Sequence, residues 1–342
     1  MELSTILPLA KDPHATAREV VALEKAGVNT VFLPEAYGFD AVSILGYLAA
    51  QTSTIRLGPG ILPLYSRTPA LIAQTAAGLD AVSGGRAVLG LGASGPQVIE
   101  GWHGIPYSKP LARTREVVDI CRRVWRRETL TNDGLYQLPL PEDQGTGLGK
   151  PLKFINRPVR ERIPIFLAAL GERNVELTAE IAEGWLPLYF LPERAAETWG
   201  TALDAGRSRR DSELGELEIV AGGMLAIGDD TDGLADLARP TFALYIGGMG
   251  ARGKNFYNDL ARRYGYEQEA ERIQELYLAG HRSEAEAAVP DELIRLTNLV
   301  GPESWVTERV AAYREAGVTS LHVTPVGPDP LRSIERLKEL IS

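Results

Sequence analysis

Eight times along the 342 residues, a short apolar run with strand character is followed by a stretch whose apolar residues fall at helical spacing. That alternation is the tightest constraint on the fold, because successive parallel strands need a long crossover and a helix is its usual form. The strand runs are Leu3–Leu9, Thr30–Leu33, Ile55–Ile61, Arg86–Leu91, Ile163–Ala168, Gly184–Leu188, Leu217–Ile227 and Ser320–Thr324. The helical stretches are Thr16–Ala26, Ala41–Gln51, Pro69–Val82, Leu111–Arg127, Asn174–Ala182, Pro192–Arg207, Glu303–Ala316 and Pro330–Leu340. Local punctuation agrees with these limits. Gly27 stands where a left-handed residue closes the first helix, and Thr68 with Pro69 supplies a cap and a first-turn proline for the third.

The rhythm stops twice. Residues 128–160 are rich in Gly, Pro and Asp and read as a loop with a short hairpin. Residues 228–300 are mostly helical in pattern, with helices expected at Asp259–Tyr264, Glu267–Ala279 and Asp291–Thr297. Setting both excursions aside leaves 236 residues, near the roughly 250 of a (β/α)₈ barrel. The expected α/β architecture is therefore one (β/α)₈ TIM-barrel domain over residues 1–342, with both insertions at its C-terminal mouth. A doubly wound sheet with a helical second domain shares the pattern, because barrel closure leaves no local mark.

A formal charge of -9 argues against nucleic acid or an anionic membrane as the main partner. The lone Cys121 excludes an internal disulfide, and His14, His103, His281 and His322 show no metal-ligand spacing. No basic region followed by an apolar run opens the chain, and no stretch approaches about 18 uninterrupted apolar residues. These features lead us to expect a cytoplasmic protein acting on a small molecule, without a metal.

Gly90, Gly92 and Gly95 spell G-x-G-x-x-G, the pattern of a dinucleotide-binding turn. A true fingerprint has an acidic residue at the end of a second strand about 20 residues on. Here that distance falls on Arg115 and Glu116, inside the helix Leu111–Arg127, so a glycine loop for another anion is the better reading. In a barrel the chemistry gathers at the C-terminal strand ends. These ends are rich in glycine and backbone donors: Gly92, Gly95 and Gly171 permit close approach to an anion, and Ser94 adds a hydroxyl. Ile61, Leu62 and Leu188 offer apolar edges to a flat ring. Such a mouth holds a phosphate-bearing cofactor that carries the chemistry. Gly90 reads as packing at the strand end.

Val31 to Asp40, Ile55 to Ile61, Arg67 to Pro69 with Asp80, and Ser83 to Pro96 together resemble the bacterial luciferase-like superfamily. The likeness is greatest to its deazaflavin branch, the coenzyme F420-dependent oxidoreductases, which includes methylenetetrahydromethanopterin reductase. Val98 to Gly104, Ala169 to Asn174, Gly301 with Pro302, and Ala312 to Pro325 extend it over nearly the whole chain. The resemblance implies a deazaflavin at the barrel mouth and hydride transfer between its C5 and an organic substrate. It also implies a non-prolyl cis peptide behind the ring at Gly60-Ile61, and phosphate contacts at Ser94, Gly95, Ala169, Gly171 and Asn174. Glu35 would face the ring or the substrate as the catalytic acidic residue, and Arg67, Arg252 and Lys254 are the cations available to a polyglutamate tail. A homodimer follows from the family alone.

This chain departs from the pattern at Ala36, where luciferase and the sugar-phosphate dehydrogenases of the branch carry histidine. Without that imidazole, substrate reduction fits better than alcohol oxidation or flavin oxygen chemistry. Glu35, Glu100 and Tyr37 are the candidate proton donors; Glu100 and His103 read equally as loop or cap residues. Trp102 reads as packing, and His322 as a satisfied core histidine. An FMN-dependent monooxygenase on the same scaffold and a non-catalytic flavin-binding protein are the competing readings.

Overall fold

The computed structural model describes residues 1–9 and 12–342. Eight parallel strands close into a barrel: Glu2–Ile6, Thr30–Leu33, Arg56–Pro59 continued by Leu62–Pro63, Leu89–Gly92, Ile165–Ala168, Gly184–Leu186, Glu218–Ala221 and Ser320–His322. Each pairs with its neighbour in chain order, and Leu3 lies opposite Leu321 where the first strand meets the eighth. The third strand joins the fourth through the bridge Leu57 to Ala87 and through Leu62 to Leu91. This is the (β/α)₈ barrel, and the doubly wound alternative falls.

Between strands and helices runs one apolar layer, with Trp125, Trp185 and Trp199 among its largest buried side chains. The lumen has its own smaller cluster of Phe32, Val88, Phe166 and Val220. At the N-terminal end of the lumen, Arg56 donates to Glu218 at 2.9 Å, to Glu2 at 2.5 Å and to Thr30 Oγ1 at 2.8 Å. Aromatic packing above and a charge cluster below make the barrel a filled core, open for chemistry only at the other end.

Helix limits follow the local signals. Thr68 Oγ1 accepts from Leu71 N at 3.2 Å ahead of Pro69–Ser83, and Gly27 has the left-handed φ of 94° that a closing residue needs. The seventh strand departs from the expected single run Leu217–Ile227. It breaks into Glu218–Ala221 and Met224–Ile227 at Gly222 and Gly223, where a Cβ would lie 2.4 Å from His322 O and 2.2 Å from Thr297 O. Beyond the break, Met224–Ile227 pairs with Leu299–Gly301 and Thr324–Pro325. The strand Leu299–Gly301 was not read from the sequence, since a three-residue run behind a helix carries no period.

The first excursion runs from the end of the helix Pro110–Trp125 to the start of the fifth strand, and its Arg160 bonds Asp80 and Ala87 O where the fourth strand begins. It therefore lies at the N-terminal end of the barrel and not, as expected, at the mouth. It holds two short antiparallel ladders, Thr129–Leu130 with Leu152–Lys153 and Asn132–Asp133 with Gln137–Leu138. Glu116 anchors the second ladder, accepting from Leu135 N at 2.8 Å, Tyr136 N at 3.1 Å and Asn132 Nδ2 at 3.1 Å. Glu116→Ala leaves these donors unmatched at a cost of about 1–2 kcal/mol. We expect faster limited proteolysis within residues 129–140, with the barrel's own unfolding nearly unchanged. The second excursion is helical, as its pattern implied. Its helices include Phe256–Arg263, Glu267–Leu278 and Asp291–Thr297, together with the short helices Arg239–Ala243, which runs on into a π-helical turn at Leu244–Gly248, and Arg282–Ala287, which were not read from the sequence.

Candidate active site

Strand alternation decides what faces the mouth. Counting up by two from the lumen residues Val88, Phe166 and Val220 brings Gly90 and Gly92, Ala168, and Gly222 inward. Gly60 sits so close to Phe32 that a Cβ would lie 2.8 Å from the phenylalanine Cβ, and one on Gly92 would lie 3.0 Å from Ile61 Cδ1 and 3.5 Å from Ala168 Cβ. Gly60, Ile61, Gly92 and Ala168 are therefore contiguous. The peptide between Gly60 and Ile61 is cis, as the resemblance implied. The result is a low floor, small and apolar.

Beside that floor the fourth and fifth strands, paired through Leu91 and Leu167, each lead into a helix whose N-cap is a glycine. Gly95 precedes Pro96–Gly101 and Gly171 precedes Glu172–Ile181, and neither cap donors nor first-turn N–H groups are met by a capping side chain. Ser94 takes a left-handed φ of 58°, and Tyr107 Oη donates to its carbonyl at 3.4 Å. The carbonyls of Ala169 and Leu170 accept from Trp185 Nε1 at 2.9 Å and Trp199 Nε1 at 2.8 Å. Because N–H and C=O oppose each other across a trans peptide, the N–H groups of Leu170 and Gly171 point away from those tryptophans. Asn174 Oδ1 is buried without a partner, and a Cβ on Gly171 would meet open space. Free N–H groups and open room beside a glycine suit a phosphate, and the unmet Asn174 oxygen suits a hydroxyl donor on the chain that carries it.

Glu35 lies at the rim with its carboxylate fully engaged. Arg67 grips it in a fork at 2.5 and 2.9 Å, and Ala41 N donates at 3.0 Å. Arg67 also holds Asp40 at 2.5 Å and Ser66 Oγ at 3.1 Å, so both of its terminal nitrogens are engaged by the two loops. Burial opposes ionisation of Asp40, yet hydrogen bonds from Ser43 and the Arg67 guanidinium hold its carboxyl below the usual range. The clamp ties the loop after the second strand to that after the third and presents Tyr37, exposed, 6.4 Å from the exposed Trp102. Trp102 therefore belongs to the rim and not to the packing. Glu100 accepts from Tyr107 N at 3.0 Å, and His103 Nε2 is buried without a partner. Leu188 is partly exposed after the sixth strand, while Arg252 and Lys254 are exposed on the second excursion. Tyr107 was missed from the sequence: a tyrosine in a proline-flanked loop carries no signal for a contact 13 residues back.

Fold and donors together define a class: (β/α)₈ barrels whose mouth pairs an anion cradle with a flat apolar floor. The chain belongs to the luciferase-like monooxygenase family, whose profile matches residues 2–320. It is 43% identical over 332 residues, 96% of this chain and 95% of the relative, to a Mycobacterium tuberculosis (strain H37Rv) protein provisionally named a coenzyme F420-dependent oxidoreductase. It is 30% identical to the 5,10-methylenetetrahydromethanopterin reductase of Archaeoglobus fulgidus, over 93% of this chain and 92% of that one. In fold it resembles the solved coenzyme F420-dependent tetrahydromethanopterin reductase of Methanopyrus kandleri, with a TM-score of 0.80 at 22% identity, covering 98% and 96% of the two chains. Among the described residues no helix is long and apolar enough to cross a membrane, and no group of three or more His, Cys, Asp or Glu is placed to hold a metal ion.

Proposed function

We propose that this protein is a coenzyme F420-dependent oxidoreductase that acts as a reductase on a small organic substrate. The observation that carries the reading is the pair of uncapped glycine N-termini on adjacent strands, set beside the floor of Gly60, Ile61, Gly92 and Ala168. Ser94, Gly95, Ala169, Gly171 and Asn174 would hold the phosphate, and Gly60, Ile61 and Leu188 would line the place of the ring. The bound deazaflavin supplies the hydride at C5. Glu35 serves first as a positioning residue: it fixes Arg67 and the start of the second helix, and so the place of Tyr37 at the rim. Ala36 leaves no imidazole beside it, which supports reduction with the proton drawn from Tyr37 or water. The family likeness also supports a homodimer working in the cytoplasm, which light scattering tests for the first part.

Titration of the purified protein with F420 and FMN, each oxidised and reduced, reads the cofactor directly. We expect F420 to bind at least about tenfold more tightly, a difference of about 1.4 kcal/mol. Tight FMN binding with no response to F420 would replace this reading with the FMN monooxygenase. Binding of F420 whose reduced form no unsaturated acceptor reoxidises would leave a binding protein.

A further inference from the structure

The inward residues that end the strands keep accessible surface at the mouth: Ile6, Gly60 and Ile61, Ala168, Leu186, Gly222 and His322. Six of those seven are glycine or aliphatic, so the only side-chain hydrogen bond this ring of residues can offer comes from His322. We propose that His322 donates that bond to the deazaflavin ring, through Nε2, at the end of the floor across the barrel from the phosphate cradle. This rests on the cofactor reading above.

The geometry supplies the argument. His322 lies on the eighth strand, four strands round from the fourth, where the cradle begins. Phe32 bridges the two sides, since it touches the place of a Gly60 Cβ and its ring centroid is 5.8 Å from that of His322 at 66°. The floor is thus continuous from the Gly60-Ile61 peptide to the imidazole, and a tricyclic ring held by its phosphate at one side extends over it.

The imidazole is fixed from behind. Its Nδ1 lies 3.0 Å from Ser4 Oγ, and Ser320 Oγ lies 3.3 Å from the same hydroxyl. Ser4 has a longer alternative at 3.5 Å to Leu321 O, so the network assigns its proton to His322 Nδ1 and leaves the hydrogen on Nε2. Burial pushes the histidine down to about 4, which keeps it neutral at pH 7 with one N–H to give. Ser4 and Ser320 are fully buried while His322 is not, so the accessible edge is the one away from Ser4. The histidine is satisfied as a core residue at one nitrogen only. A neutral imidazole held in one tautomer is a donor suited to a ring carbonyl.

The test compares F420 binding by wild type, His322→Leu and His322→Gln, following the cofactor's absorption and fluorescence, with a thermal melt of each. His322→Leu should bind F420 about tenfold more weakly, with a displaced absorption band, and the amide of His322→Gln should recover most of the loss. Wild-type protein labelled with ¹⁵N-histidine gives a second reading that needs no variant: F420 should move the Nε2 resonance of His322 and leave Nδ1 in place. Unchanged affinity and spectrum in folded His322→Leu, or an unmoved Nε2 at saturating F420, would overturn the proposal. Failure of the wild type to bind F420 removes the cofactor reading itself and this proposal with it, a result distinct from a silent variant.

Discussion

Gly90→Val should lower the stability of the barrel by more than about 3 kcal/mol, above the usual cost of overpacking a core. Gly90 is an inward residue of the fourth strand, and a Cβ there would lie 2.0 Å from Pro59 O and 3.1 Å from Pro59 C. A backbone carbonyl cannot swing aside as a side-chain end can. Relief would require the third and fourth strands to part beside the Gly60-Ile61 peptide. Urea unfolding of the purified variant measures the loss; a midpoint within error of wild type would mean that the strands do not approach as described.

The same substitution five residues on should do the opposite. Gly95→Val keeps the fold, because Gly95 already has φ -102° and ψ 151°, which valine favours and a following proline requires. Its Cβ would meet only Gln97 Oε1 at 3.1 Å, the free end of a flexible side chain. The branched methyls then crowd the N-cap where the phosphate is proposed to sit. We expect F420 affinity to fall by more than about tenfold, or about 1.4 kcal/mol, with an unfolding midpoint close to wild type. Unchanged affinity would show that the phosphate lies elsewhere. Together the two variants separate packing from binding within one glycine pattern.

That pattern shows how far the residues alone could be read. G-x-G-x-x-G matched a dinucleotide turn by spelling, and the helical period around Arg115 and Glu116 was enough to set the match aside. Glu116 in fact holds the hairpin of the first excursion. The packing role of Gly90 was also legible, since a glycine inside an apolar strand marks a close approach. The fate of Glu35 was not. Its partner Arg67 is 32 residues away on another strand's loop, and each is an ordinary charged loop residue until the second and third strands lie side by side. His322 was read as core because it falls within the last strand, and only the assembled mouth shows that one edge stays accessible.

The sequence by itself determined the eight strand–helix units, the helix ends at Gly27 and Thr68, the two excursions and the glycine-rich strand ends. All of these depend on neighbours a few residues apart, through periodicity, cap chemistry and backbone freedom. Tertiary structure decided the rest: closure through Leu3 and Leu321, the break in the seventh strand under His322 and Thr297, the Glu35–Arg67 clamp and the accessible edge of His322. Each joins groups from different strands. Such contacts depend on which strands become neighbours, and that is set by the packing of the whole barrel and not by any one stretch of chain.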